Sequence, residues 1–339
     1  MQNFETVVEQ KCEQLLLRAY HFGASDLLLV PEMERYRLYF RKYDKLLQAG
    51  ELPNDLAERM ISFYKFLAAL DISERRKPQS GSFQKSMEKD PYAFRVSTLP
   101  SVFLKESLII RLLLQNHAFP LTSLCYSKFA ANILMELVKH RQGLLCFTGA
   151  TGSGKSTSLY SLIHYCSTEL HRHVISLEDP VENNQANLLQ IQVNERAGVT
   201  YAAGLKAILR HSPDVIMIGE IRDKETAKIA IEAALTGHLV VSTIHAKDSV
   251  SCLYRLIDLG VSVEELRQTV IGIVAQILFQ SPIIQEERRA LFEVLSDSHL
   301  QEAIKAIMKN TTYELPYDLT LAGQRDLIEG QKYATTKIH

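Results

Sequence analysis

Cysteine is sparse and scattered in this 339-residue chain. Cys12, Cys125, Cys146, Cys166 and Cys252 stand far apart, and no CxxC pair occurs. That pattern argues against a disulfide framework or a four-cysteine zinc site, and reduced, mostly buried thiols are expected. Long apolar runs are also missing. The longest suspicious stretch, Thr269–Phe279, has 11 residues, whereas a helix crossing lipid needs roughly 20. Leu108–Leu114 is shorter and carries Arg111. The first residues are broken by Glu5, Glu9, Lys11 and Glu13, so no secretory signal peptide is expected. Nor is there an excess of one charge: 38 Lys and Arg oppose 39 Asp and Glu, a formal net charge of −1. A polycation wrapped on nucleic acid would not have that balance, and direct DNA contact is not required. Tandem repeats and low-complexity blocks are absent too. A soluble, cytoplasmic protein is the expectation.

What is present suits a globular chain. Hydrophobic residues make up 46% and charged residues 23%, enough for sizeable cores in about two domains. In the first section, Phe4–Tyr20 and Leu56–Leu70 have helical spacing. Ser25–Val30, Arg35–Phe40, Ala93–Leu99 and Leu108–Leu114 read as strands, and the polar Glu74–Phe83 as a loop or hairpin. Residues 1–115 therefore form a small α+β domain, with 116–125 as linker. From 126 to 339 the rhythm changes. Strand-like runs at Gly143–Thr148, His173–Leu177, Val215–Ile218 and His238–Thr243 alternate with helical Tyr126–Gln142, Lys155–Tyr165, Ala202–Leu209 and Asp223–Leu235. This α/β alternation indicates a largely parallel sheet covered by helices. Two further helices are expected at Val263–Phe279 and His299–Met308, followed by a polar tail.

The sharpest signal is GATGSGKST: Gly149, Ala150, Thr151, Gly152, Ser153, Gly154, Lys155, Ser156 and Thr157. It satisfies G-x-x-x-x-G-K-[ST] between an apolar strand and a helix, the context of a phosphate-binding loop. Glycines allow a tight path whose N–H groups face phosphate at a helix N-terminus. Lys155 would reach the β- and γ-phosphates, and Ser156 would hold Mg2+. No N/T-K-x-D sequence reads guanine, so ATP is the expected nucleotide.

Carboxylates follow the next strands. Glu178, Asp179 and Glu182 come after His173–Leu177, and Glu220, Arg222 and Asp223 after Val215–Ile218. Strand-end carboxylates in an open α/β sheet lie near its ligand crevice. One of Glu178 and Glu220 would orient the attacking water and the other would support hydrated Mg2+, with Glu220 a metal candidate through water. Both stay open as general base. His238 and His245 flank the fourth strand and would lie near the nucleotide or a neighbouring subunit. No third and fourth ligands accompany them, so no zinc site is expected.

In order, GATGSGKST, SLEDPVE, LKAILRHSPDVIMIGEIRD and TGHLVVSTIHAKDS resemble the Walker A, Asp box, atypical Walker B and His box of the secretion traffic ATPases. That family includes type II secretion and type IV pilus assembly motors. ASDLLLVP, DISERRKPQSG and RVSTLP resemble its N-terminal module, so the resemblance spans roughly residues 20–300. The fold it implies is a RecA-like P-loop ATPase domain preceded by a smaller α+β domain. It also implies a homohexameric ATP hydrolase associated with the inner face of the cell membrane through a polytopic platform protein. Arg95 and Arg111 match the arginines that approach phosphate across the subunit interface, and Arg210 and Arg222 fall within matching motifs. The compact length, and Ala275–Ile284 without cysteines, resemble the competence-type members, which power a DNA-uptake pseudopilus. Retraction motors are the rival, and a DNA-translocating ATPase a more distant one.

Overall fold

Alternating apolar residues build the first sheet of this computed structural model, which describes residues 7–43, 45–115, 119–280 and 288–336. Two compact units, Met1–His117 and Ala118–His339, divide the chain. The first contains α1 (Val7–Phe22), β1 (Asp26–Pro31), β2 (Arg35–Lys42), β3 (Lys45–Pro53), α2 (Asn54–Leu67), β4 (Gln79–Met87), β5 (Asp90–Pro100) and β6 (Glu106–Leu114). Its strands form one antiparallel sheet in the order β3-β2-β1-β6-β5-β4. Leu27, Leu29, Tyr36, Leu38, Phe40, Phe94, Val96 and Ile110 point to one face. There they pack with Leu16 and Ala19 of α1 and Met60 and Tyr64 of α2. The period of two sends the intervening residues to the face without helices.

Glu74–Phe83 was expected as a loop or hairpin, and its second half belongs to β4. β3 carries no sequence signal. Both are outermost strands of polar or mixed composition. Their order comes from backbone pairing with one neighbour, which leaves no alternation to read. The first three residues of the expected helix Phe4–Tyr20 lie outside the described residues.

The second unit contains α3 (Leu121–Leu124), α4 (Lys128–Leu137), β7 (Gly143–Thr148), α5 (Lys155–Thr168), β8 (Val174–Glu178), β9 (Leu189–Gln192), α6 (Tyr201–Ile208) and β10 (Val215–Ile218). It continues with α7 (Lys224–Leu235), β11 (Leu239–Thr243), α8 (Ser249–Asp258), α9 (Val263–Thr269), β12 (Val270–Gln280), β13 (Arg288–Ser296), α10 (Asp297–Met308) and α11 (Leu321–Thr336). The seven-stranded sheet has the order β13-β12-β7-β11-β10-β8-β9. All neighbours are parallel except β12 and β13. Every residue of β7, β8, β10 and β11 is buried, as expected of parallel strands covered on both faces.

Three expectations change here. Val263–Phe279 is not one helix. The Ser262–Glu265 capping box starts α9, which ends at Thr269, and the β-branched run with Gly272 continues as β12. Its apolar pattern fits either element, and pairing with β7 decides. The polar tail contains the helix α11. Of the expected linker 116–125, residues 116–118 lie outside the described residues. Leu121 and Cys125 are buried in the core of the second unit, and the Tyr126 amide donates to the Ala290 carbonyl at 2.9 Å. No described helix is long and apolar enough to cross a membrane.

One buried ion pair stands out in the first unit. Lys65 is fully buried, and its Nζ donates to both Glu106 carboxylate oxygens at 2.9 and 3.1 Å and to the Glu74 carbonyl at 2.7 Å. Losing one partner of such a pair strands a charge. Glu106→Leu should therefore destabilise the first unit by about 3–5 kcal/mol, whereas Lys65→Met/Glu106→Leu should cost less. Hydrogen exchange of α2 amides, compared between the two variants, checks the order.

Candidate active site

The loop joining β7 to α5 makes a turn open only to glycine at three points. Gly149, Gly152 and Gly154 have φ of +141°, +81° and +85°. A Cβ on Gly149 would sit 2.4 Å from the Gln276 carbonyl oxygen, so the loop presses directly on β12. Gln276 is buried, and its Nε2 donates to the Ser153 carbonyl at 2.8 Å. A strand beside β7 thus clamps the loop. Lys155 Nζ donates to the carbonyls of Gly149 and Ala150 at 2.8 and 2.9 Å. Burial lowers its pKa, while the charges of Glu220 and Glu182 act in the opposite direction. Ser156 and Thr157 occupy the first turn of α5. Ser153 Oγ is buried without a hydrogen-bond partner among the described residues. Glycine-permitted turns, a helix N-terminus, a lysine and a spare hydroxyl at one place fit a nucleotide polyphosphate.

Glu178 ends β8 and is 3% exposed. Its carboxylate accepts from Ser176 Oγ at 2.6 Å, from Gln190 Nε2 at 3.0 Å, and from the Tyr160 hydroxyl. Such bonds offset the cost of burying a charge. Tyr160 lies on α5, and its oxygen also accepts from the amides of Glu182 and Asn183 at 3.3 and 3.2 Å. One phenol therefore joins the helix after the phosphate loop, the Glu178 carboxylate and the loop after β8. Burial and the neighbouring Glu178 charge push its pKa far above the ordinary phenol range.

Glu220 follows β10 in a different setting. Its side chain is 37% exposed, and its Oε1 lies 3.6 Å from His245 Nε2. The His245 loop is fixed beside the phosphate loop: Ile244 N donates to the Phe147 carbonyl at 2.9 Å, and Ala246 N to Thr148 Oγ1 at 2.8 Å. Arg222 spans Asp179 at 3.8 Å and Glu195 at 3.9 Å, over the Tyr201 ring. Asp223 caps α7 by accepting from Thr226 N at 2.8 Å, a bond that lowers its carboxyl pKa.

Lys155, Ser156, Glu178, Asp179, Glu182, Glu220, Arg222 and His245 therefore gather at the edge where the parallel strands end. Two expected residues do not. His238 precedes β11, and its ring contacts the Ala233 carbonyl at 3.1 Å, a strand's length of about 17 Å from that edge. Arg210 lies in the turn Leu209–His211 after α6, which also precedes a strand. The parallel register puts both at the opposite edge. Of the two places expected for His238, near the nucleotide or at a neighbouring subunit, the register removes it from the phosphate edge of its own unit.

Arg95 and Arg111 belong to the first unit, where they are cross-strand partners on the face without helices. Asp26 continues the row between Arg111 and Arg41. It is 2% exposed, accepting from Arg111 Nε at 2.8 Å and Ser25 Oγ at 2.8 Å. Arg41 Nε stands 4.0 Å from the same carboxylate. Sequence reasoning missed Asp26, Arg41, Tyr160 and Gln276. Two of them left a trace, Asp26 within ASDLLLVP and Gln276 as a lone polar residue in an apolar run.

Among the described residues no group of three or more His, Cys, Asp and Glu could hold a metal ion. Ser156 and Glu220 at the phosphate edge still suit the hydrated Mg2+ that accompanies a nucleotide.

Comparison with known proteins bears on family and fold. The Type II/IV secretion system protein family matches residues 2–329. The chain is 41% identical to a competence protein ComGA of Bacillus subtilis, covering 89% of each chain. It is 42% identical to a competence protein ComGA of Halalkalibacterium halodurans, covering 89% of this chain and 91% of that one. In fold it is similar to the Legionella pneumophila ATPase DotB, with a TM-score of 0.72 at 24% identity over 94% of this chain and 87% of that one. The chain has the RecA-like fold of an ATP hydrolase and belongs to the type II/IV secretion system protein family.

Proposed function

We propose that the chain is a homohexameric Mg-ATP hydrolase that drives assembly of a competence-type pseudopilus for DNA uptake, acting on a polytopic platform protein at the inner face of the cell membrane. The observation that carries this reading is near-full-length similarity to two competence proteins at 41% and 42% identity. The balanced charge fits a motor that serves DNA uptake without gripping DNA.

In this reading the amides of Gly149–Thr157 cradle the phosphates, and Lys155 leaves its loop carbonyls for the β- and γ-phosphates. Ser156 and, through water, Glu220 would hold Mg2+, which would supply neutralisation of phosphate charge. Glu178 and Glu220 support water attack, one buried and fixed by donors, the other open to solvent. His245 reports on Glu220. Arg95 and Arg111 meet the developing phosphoryl charge from a neighbouring subunit, and Asp26 sets the direction of Arg111. Such catalysis is chiefly positioning and electrostatic stabilisation.

Three outcomes are expected. Lys155→Ala and Glu220→Gln should each lower Mg-ATP turnover by about a hundredfold or more, with unchanged circular dichroism and melting. Normal turnover in both would sink the catalytic assignment. Tyr160→Phe removes a hydrogen bond to a buried charge, so turnover should fall about tenfold with the Michaelis constant little changed. A well-folded Tyr160→Phe enzyme with full turnover would take Glu178 out of the reaction. In the source bacterium, a deletion strain complemented with the Lys155→Ala chain should lose transformation and pseudopili. Retained transformation with lost twitching would instead identify a retraction motor.

A further inference from the structure

β11 lies between β7, which leads into the phosphate loop, and β10, which leads to Glu220. It reads Leu239, Val240 and Val241, then Ser242 and Thr243, and every residue is buried. Hydroxyls at the end of a buried apolar strand need partners, because one left unpaired there is costly. Valine has nearly the shape of threonine and suits a strand as well. Packing alone therefore does not call for a hydroxyl at position 243.

The hydroxyl and the carbonyl of Thr243 engage the two flanks of Glu220. Thr243 Oγ1 donates to the Gly219 carbonyl at 2.6 Å, and the Thr243 carbonyl accepts from the Ile221 amide at 2.9 Å. The Gly219 amide is held from the other side, donating to the Leu177 carbonyl at 2.8 Å. Space there is tight as well, since a Cβ on Gly219 would stand 3.1 Å from the Tyr201 hydroxyl oxygen. The residues before and after Glu220 are thus gripped by the ends of β8 and β11, while the carboxylate itself stays partly open to solvent.

The residues after Thr243 are tied to β7. Ile244 N donates to the Phe147 carbonyl at 2.9 Å. Thr148 Oγ1 accepts from the Ala246 amide at 2.8 Å and donates to the Ala246 carbonyl at 2.9 Å. His245 stands between these ties, with Nε2 3.6 Å from Glu220 Oε1. The short segment from Thr243 to Ala246 therefore joins the strand before the phosphate loop to the peptide flanks of Glu220. Ser242 Oγ, by contrast, donates to the Ile218 carbonyl at 2.9 Å, within the paired part of β10.

We infer that Thr243 is a positioning residue for ATP hydrolysis, its hydroxyl holding Glu220 in place relative to the phosphate loop. The inference rests on the reading that Glu220 serves in the reaction. A carboxylate that acts on the attacking water or on hydrated Mg2+ works within a narrow range of positions, and a shift of about 1 Å can cost about a hundredfold in rate. Losing the hydroxyl releases the Gly219 carbonyl and lets one flank of Glu220 move. Residues Gly149–Thr157 keep their own contacts, so the effect belongs in kcat and not in the Michaelis constant for ATP.

Turnover of the full chain, measured against Mg-ATP concentration, tests this. Thr243→Val should lower kcat about tenfold with KM changed less than about twofold, and Thr243→Ser, which keeps the hydroxyl, should stay within about twofold of the parent. In single turnover, Thr243→Val/Glu220→Gln should be no slower than Glu220→Gln alone, because the hydroxyl acts through that carboxylate. Thr269→Val is the matched control. It removes another buried threonine hydroxyl, one that donates to the Glu265 carbonyl at 2.7 Å just before β12, and it should keep the parent kcat. Should Thr243→Val fail to fold, Thr243→Ala must fall about tenfold below Thr243→Ser, since both lack the methyl and only one lacks the hydroxyl. Parent kcat in Thr243→Val, an equal loss in Thr243→Ser or Thr269→Val, or a further loss of about tenfold on adding Thr243→Val to Glu220→Gln would overturn the inference. Full turnover in Glu220→Gln would instead overturn the reading of Glu220 itself, and this inference with it.

Discussion

Contact between the turn at Gly149 and the backbone of β12 is the constraint on which the site depends. A side chain at Gly149 would meet the Gln276 carbonyl oxygen at 2.4 Å, so the loop lies where it does only because nothing fills that gap. Gln276 then holds the loop from its other side through the Ser153 carbonyl. Both effects require residues 270–280 to be a strand paired with β7. A helix over the same residues would not offer its backbone to the loop in this way. The β-branched and apolar residues of β12 therefore serve the phosphate site as well as the core, and the hairpin with β13 extends the sheet beyond it.

Two glutamates at neighbouring strand ends show how environment separates like residues. Glu178 is buried and accepts three side-chain donors, one of them from the helix that begins at the phosphate loop. A displacement of α5 would pull directly on that carboxylate through Tyr160. Glu220 has a partly exposed histidine as neighbour and retains access to water. The two settings differ physically, since a buried network holds geometry while an exposed group exchanges partners at little cost. The first unit repeats the theme with Asp26, whose burial makes it a firm anchor for Arg111.

Much of this was legible in the sequence, for identifiable reasons. Gly143–Thr148 reads as a buried strand because all its residues are buried, and GATGSGKST announces its turn through glycine and lysine at fixed spacing. β3 and β4 were illegible because edge strands are ordered by backbone bonds that side chains do not report. Val263–Phe279 misled because an apolar run with β-branched residues carries no period that separates helix from strand. Tyr160 looked like any residue of an amphipathic helix, and only the fold brings its hydroxyl to a carboxylate 18 positions away. His238 and His245 sit close in sequence, yet β11 separates them to opposite edges of the sheet.

That separation bears on how an ATPase of this kind is built. In a parallel sheet every strand presents its end to one edge and its start to the other. Glycines and carboxylates collect at the first edge of this unit, and histidines and arginines at the second. Helices α5, α6 and α7 run between the two edges, each with one terminus at the phosphate side and the other at the opposite edge. A shift of α5 as Lys155 and Ser156 take hold of phosphate would move Glu169 and the His171 turn at its far end, because a packed helix moves as a body.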